Sequence, residues 1–172
     1  MIYNIRMEKF RNLMFFNIDR NESEIIDSWM SERDKKFLCM EEKGWWQTAS
    51  DIAACLRYAK DGKLFNLFAC INNTPAVAVM MGVEESGKVL RIYNLITNPD
   101  YRNKGLATEV MKRILKSDFF RVRTFNEIKV DEFKDNVYSL KILHHFNFQI
   151  RKSENNMLEF SKNIKECDQQ LV

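Results

Sequence analysis

The stretch with the most chemical content is Leu95-Ile96-Thr97-Asn98-Pro99-Asp100-Tyr101-Arg102-Asn103-Lys104-Gly105-Leu106-Ala107-Thr108. It leads from an apolar run, through a basic loop with one glycine, into a segment where Ala107, Val110, Met111, Ile114 and Leu115 recur at helical spacing. A helix entered this way exposes backbone N–H groups that have no partner inside the helix, and the positive end of its dipole favours an anion such as phosphate. Gly105 and Ala107 let phosphate oxygens approach the main chain, although simple turn chemistry is the plainer use of a glycine there. Neither G-x-x-x-x-G-K-[ST] nor G-x-G-x-x-G is present, so the loop is not one of the common nucleotide cradles.

Other reactive side chains are sparse. Cys39, Cys55, Cys70 and Cys167 lie far apart without C-x-x-C spacing and read as reduced, mostly buried thiols. His144 and His145 are adjacent, which on a helix points them about 100° apart, so no metal site is expected. Between Tyr101 and Arg123, seven basic residues (Arg102, Lys104, Lys112, Arg113, Lys116, Arg121, Arg123) face only Glu109 and Asp118. A local basic surface is expected there, within a net charge of only +3.

These residues must be positioned by regular elements, and the pattern supplies them. Leu13 to Ile18 reads as an edge strand. Asn21 and Glu24 have capping-box spacing ahead of Ile25, Ile26, Trp29 and Met30, with a break near Ser31 and a restart toward Phe37. A second helix, capped by Ser50 and ended by Asp61-Gly62, carries Ile52, Cys55, Leu56 and Ala59 on one stripe. Strands follow at Leu64 to Ile71, Ala76 to Val83 and Val89 to Thr97, an antiparallel meander. After the helix that starts near Ala107 come a strand at Ile128 to Phe133, a helix at Asn136 to Phe146, and short strands at Phe148 to Ile150 and Met157 to Phe160. This order predicts an α+β (mixed α/β) fold with one central sheet and helices on both faces.

The 172 residues suit one domain, 1–172, with a core over about 13–161 and a frayed tail at 162–172. Five Gly and two Pro leave no linker, and the longest apolar run, Ala76 to Val83, falls far short of the ~20 residues of a membrane span. The charged N-terminus reads as no secretory signal, so a cytoplasmic address is expected.

Arg102-Asn103-Lys104-Gly105-Leu106-Ala107 resembles the R/Q-x-x-G-x-G/A signature of the GNAT superfamily of N-acetyltransferases, and Leu95 to Arg102 resembles the strand end that precedes it. A second segment, Asn136-Val137-Tyr138-Ser139, then Leu143 and Phe146-Asn147-Phe148, resembles the family's N-x-x-A/S-x-x-x-Y-x-x-x-G-F. With the element order, the resemblance spans nearly the whole chain and implies a mostly antiparallel sheet flanked by helices on both faces. It further implies that acetyl-CoA is the cosubstrate and that no metal is used. The pyrophosphate would lie on backbone N–H groups of Asn103, Lys104, Gly105, Leu106, Ala107 and Thr108, with Arg102 at the loop mouth. Leu95, Ile96 and Thr97 would pair with the pantetheine arm as an added strand, while Asn136 and Ser139 would approach it from the other side.

The departures fall on the proton-handling groups. Leu143 stands where the family has a tyrosine that protonates the leaving thiolate, and Asn147 where it has glycine. His144 is the candidate substitute acid, against the plainer reading of an exposed helix histidine, and Tyr138 is expected to pack. Asp131 is the candidate base, with Glu132 the alternative if the register slips by one. Trp45, Trp46 and Gln47 are candidates for the acceptor pocket, with core packing the alternative. The implied reaction is direct acetyl transfer to a small-molecule or peptide amine; a noncatalytic acyl-CoA sensor of the same fold is the alternative. No membrane and no nucleic acid are implied, except an RNA-linked amine as acceptor. The oligomeric state, homodimer included, is left open.

Overall fold

The computed structural model describes residues 12–17, 23–32, 34, 64–84, 87–116 and 125–164. The segment holding the expected helix at 50–62, Trp45, Trp46 and Gln47 lies outside the described residues, as do Asn21, Cys39, Cys55, Cys167, Arg121 and Arg123. Along the chain run β1 (Leu13–Asn17), α1 (Ser23–Ser28), β2 (Leu64–Ile71), β3 (Thr74–Val83) and β4 (Val89–Thr97). They are followed by α2 (Leu106–Lys116), β5 (Glu127–Phe133), α3 (Val137–His145), β6 (Gln149–Glu154) and β7 (Met157–Asn163).

The strands form one sheet in the order β1-β2-β3-β4-β5-β7-β6. The meander forms as its turn residues require: Asn72 and Asn73, both at positive φ (50° and 64°), join β2 to β3. All pairings are antiparallel except β4 with β5, which run parallel because α2 crosses over between them.

Alternating side chains divide the core. Leu67, Ala69, Val77, Val79, Leu90, Ile92, Ile128, Val130 and Phe160 face α2 and α3, which contribute Leu106, Val110, Met111, Ile114, Leu115 and Leu143. Phe68, Cys70, Ala78 and Met80 face Ile26 and Trp29 of the α1 segment. Helices therefore cover both faces of the sheet. The five buried residues of α2 are each worth roughly 1.5–3 kcal/mol relative to exposure, so this stripe sets how the helix docks and where its amino end points. Of the tail 162–172, residues 162–164 are described and the rest lie outside the described residues: β7 reaches Asn163, and Ile164 is buried with its N–H donated to Asn126 O at 3.1 Å.

Asn147, the residue in the family's glycine position, has φ 58°. The Phe148 N–H donates to Leu143 O and the Asn147 N–H to His144 O, both at 3.0 Å, the paired bonds of a helix end closed by a left-handed residue. Asn tolerates this conformation better than other non-glycine residues, so the departure preserves the geometry. Asn147→Gly is expected to stabilise the fold by about 0.5–1 kcal/mol, because glycine carries no Cβ penalty there; chemical denaturation of both proteins checks it.

Candidate functional site

The β4–β5 ladder is short. It pairs Val89 with Glu127 and ends at Ile92 with Val130; beyond that point β4 continues to Thr97 on β3, and β5 continues to Phe133 on β7. Tyr93 is an extra residue in β4, since Met81 pairs with Ile92 and Met80 with Asn94. A bulge increases local twist, and the pairing of β4 with β5 stops where it sits. A slot results, with Leu95, Ile96 and Thr97 along one wall and the end of β5 along the other.

At the far end of β4 the chain turns through Pro99–Tyr101, capped by the Asn98 side chain accepting from the Asp100 N–H at 3.0 Å, and enters α2. Gly105 has φ +80°, and a Cβ there would meet nothing within 4 Å, so the main chain faces open space. Asn103 also has positive φ, 59°. The Glu109 N–H donates to Gly105 O at 3.1 Å, the first turn of the helix; the N–H groups just ahead are those that a helix start leaves without an internal acceptor. Leu106 is buried, while Ala107 and Thr108 are half-buried.

Two side chains of that loop are engaged with the protein itself. Arg102 is spent on the protein: Nε donates to Thr97 O (3.1 Å), and Nη2 to Trp29 O (2.9 Å) and Asp34 Oδ2 (3.1 Å). Asp34 also accepts from the N–H and hydroxyl of Ser31, whose oxygen in turn accepts from the Asp34 N–H. This is a capping box at the break in the first helical segment. Burial alone would push the Asp34 carboxyl up, but Ser31 and Arg102 outweigh it and hold it below the ordinary aspartate value. Arg102 is thus a strut between the end of β4 and the α1 side, not a free cation at the loop mouth. Lys104 folds back onto Asp100 O, with its ammonium 5.5 Å from the Tyr101 ring centroid. The basic surface is likewise partly committed, Arg113 pairing with Glu109 at 2.9 Å and donating to Leu13 O.

On the opposite wall the two candidate bases, Asp131 and Glu132, face opposite sides of the sheet. Asp131 lies on the α1 face of the sheet and is ion-paired with Arg91 Nη1 at 2.7 Å; Arg91 also holds Glu84 and Glu159. Glu132 lies on the opposite face with Ile128 and Val130, 8% exposed. Its Oε1 accepts from the Phe133 N–H (2.9 Å) and from Asn136 Nδ2 (3.0 Å), and its carboxylate also accepts from the Ser139 hydroxyl. Burial, with the like charge of Asp135, pushes the Glu132 carboxyl above the ordinary value against the opposing effect of those donors. Asn136 additionally caps α3 through its side-chain oxygen and the Ser139 N–H. Asn136 and Ser139 are therefore gathered around Glu132 at the end of β5. Leu143 is buried, and His144 is exposed with its ring edge-on to Phe160 at 5.9 Å, held against β7. Tyr138 does not pack; it is 63% exposed.

Asp34, Arg91 and Tyr93 belong to no motif in the sequence, yet they set the strut, the parallel joint and the bulge that shape the slot. Among the described residues no group of three or more His, Cys, Asp or Glu is placed to hold a metal, and no helix is long and apolar enough to cross a membrane.

The model of the acetyltransferase (GNAT) family matches residues 2–148. No curated protein matches the chain by sequence. Among solved structures, the aminoglycoside acetyltransferase AAC(6′)-Ib in complex with ribostamycin and coenzyme A is similar, with TM-score 0.75 at 13% identity, over 94% of this chain and 98% of that one. The spermidine N-acetyltransferase of Vibrio cholerae in complex with CoA and spermine is similar too, with TM-score 0.70 at 12% identity, over 90% and 97%. So is the PaiA N-acetyltransferase of Thermoplasma acidophilum in complex with coenzyme A, with TM-score 0.68 at 11% identity, over 88% and 98%. With the family model covering most of the length and these folds matching end to end, the chain belongs to the GNAT family, the acetyltransferases that use acetyl-CoA.

Proposed function

We propose that the protein transfers the acetyl group of acetyl-CoA directly to a primary amine, both substrates being bound at once and no covalent enzyme intermediate being formed. The observation that carries this is the gap between β4 and β5 beyond the point where the parallel ladder stops, with β4 leading on through Pro99–Tyr101 to the start of α2. An extended pantetheine arm fits the unpaired edge of Leu95, Ile96 and Thr97 as an added strand. The pyrophosphate fits the N–H groups of Asn103 to Thr108, where Gly105 leaves the approach open. A backbone N–H along the slot can polarise the thioester carbonyl where negative charge develops. Amines arrive largely protonated at neutral pH, so one proton must leave before attack, to a side chain or through water to bulk. Cys70, the described cysteine, is buried among Phe68, Ala78 and Met80 rather than in the slot, in keeping with direct transfer.

Aminoglycosides and polyamines, the amines of the similar enzymes' complexes, are the first acceptors to try. Coenzyme A at 100 Kd is expected to add about 2.7 kcal/mol of stability, a Tm rise of roughly 5–11 °C for a chain of this size. A CoA-release assay over spermidine, ribostamycin, lysine and peptide amines, with mass detection of the product, then identifies the acceptor. No thermal shift with millimolar CoA would sink the proposal. A shift without turnover on any amine favours a noncatalytic acyl-CoA sensor, the reading that Leu143 at the tyrosine position supports.

A further inference from the structure

Arg102 holds a motif position that suggests a ligand for the cofactor's phosphates, but its guanidinium is turned elsewhere, and the strand geometry shows where. The Asn98 N–H donates to Ala76 O at 3.0 Å, and Thr97 stands opposite Val77. Successive residues of an antiparallel strand send their main-chain groups to opposite sides. The N–H and C=O of Leu95 and Thr97 therefore point away from β3, into the gap beside β5. Arg102 Nε donates to Thr97 O at 3.1 Å, which places the guanidinium on the edge of the gap itself. From there Nη2 reaches Trp29 O at 2.9 Å and Asp34 Oδ2 at 3.1 Å. One planar group thus joins the edge that would carry the pantetheine arm to the break in the first helical segment.

Two substrates bound at once must meet at the thioester from different sides. With the pyrophosphate at the amino end of α2, and α2 and α3 packed on one face of the sheet, the α1 face is the side left for the amine. On that face Tyr93 and Ile96 of β4 lie beside the gap, and with Met30 they pack half-buried against the cluster around Ile26 and Trp29. Met30 follows the carbonyl that Arg102 holds and precedes Ser31, whose N–H and hydroxyl donate to Asp34 at 2.9 and 2.8 Å. The two contacts together fix where Met30 stands.

We propose that Arg102 is a positioning residue for the amine and not a ligand of the cofactor's phosphates: it holds Trp29 and Met30 against the end of β4 and so shapes the side of the gap on which the amine binds. The inference rests on the proposed acetyl transfer.

Arg102→Met keeps the aliphatic stem and removes every donor. Its Kd for CoA alone, by titration calorimetry, is expected to stay within about threefold of the wild type, whereas loss of a charged phosphate ligand would cost about tenfold or more. At saturating acetyl-CoA, the KM for spermidine or ribostamycin is expected to rise about tenfold, with kcat changed less than about threefold. A general loosening of the fold would weaken CoA binding and kcat as well. Asp34→Asn keeps an oxygen for Ser31 while losing the charge opposite Arg102. It should raise the same KM about threefold and add nothing in the Arg102→Met background, because the two side chains act through one contact. About tenfold weaker CoA binding by Arg102→Met, an unchanged amine KM, or additive effects of the two changes overturns the assignment. Should Arg102→Met fail to fold, Asp34→Asn decides alone, by whether the amine KM rises at constant CoA affinity. Failure of the underlying function shows separately, as no thermal shift with acetyl-CoA or no turnover in the wild type.

Discussion

Gly105→Glu is expected to abolish the stabilisation by coenzyme A while leaving the protein folded. The residue adopts φ +80°, where any side chain is strained, at a cost of roughly 1–2 kcal/mol. The space outside it is open, so no clash adds to that cost. In the proposed complex that same space belongs to the pyrophosphate, and the variant would put a carboxylate and its methylenes there, at the helix end whose dipole already favours a negative group. The ligand-induced gain of about 2.7 kcal/mol at 100 Kd should therefore disappear, read as the loss of the Tm shift. Gly105→Ala separates the contributions: it carries the same backbone strain without charge or bulk, so it should lower the Tm of the free protein while retaining most of the shift. If Gly105→Glu binds CoA as well as the wild type, the pyrophosphate does not lie on this loop.

Most elements were legible because their residues repeat with one period. The α2 stripe and the alternation of β5 and β7 fix faces as well as types, and the left-handed Asn72 and Asn73 fix a hairpin. The orientation of Asp131 and Glu132 was legible on the same grounds: Ile128 and Val130 set the core face of β5, and parity puts Glu132, not Asp131, with them. Other features were hidden by distance or by a break in the period. In β4 the core-facing apolar residues are Leu90, Ile92 and then Leu95, a change of parity that requires an extra residue; Ile96, packed on the other face, masks it. Arg102 has a motif position that suggests a ligand, but its partners Trp29 and Asp34 lie 73 and 68 residues away, and no local pattern announces them. The same holds for Arg91, whose acidic partners come from the end of β3, from β5 and from β7.

Arg91→Leu is expected to be the most damaging single change outside the hydrophobic core. Its guanidinium reaches Glu84 at 2.7 Å, Asp131 at 2.7 Å and Glu159 at 3.3 Å, and so ties β4 to β5 and β7 across the parallel joint at the base of the slot. Burial by itself would lower the Arg91 pKa, yet the three carboxylates raise it, so it stays charged at any working pH. Asp131 and Glu159 are direct cross-strand neighbours, an arrangement that is unfavourable for two like charges without a cation between them. Stripping the partner from a fully buried pair costs ~3–5 kcal/mol and from an exposed one ~0–1. These side chains are 16–34% exposed, so about 2–3 kcal/mol is expected, a Tm loss of roughly 4–12 °C. The deficit comes from uncompensated negative charge, so adding Asp131→Asn should recover part of it. By contrast, Asp131→Asn in the wild-type background should leave kcat/KM within about threefold, since its carboxylate serves Arg91. A loss of ~10² or more would return the role of base to Asp131.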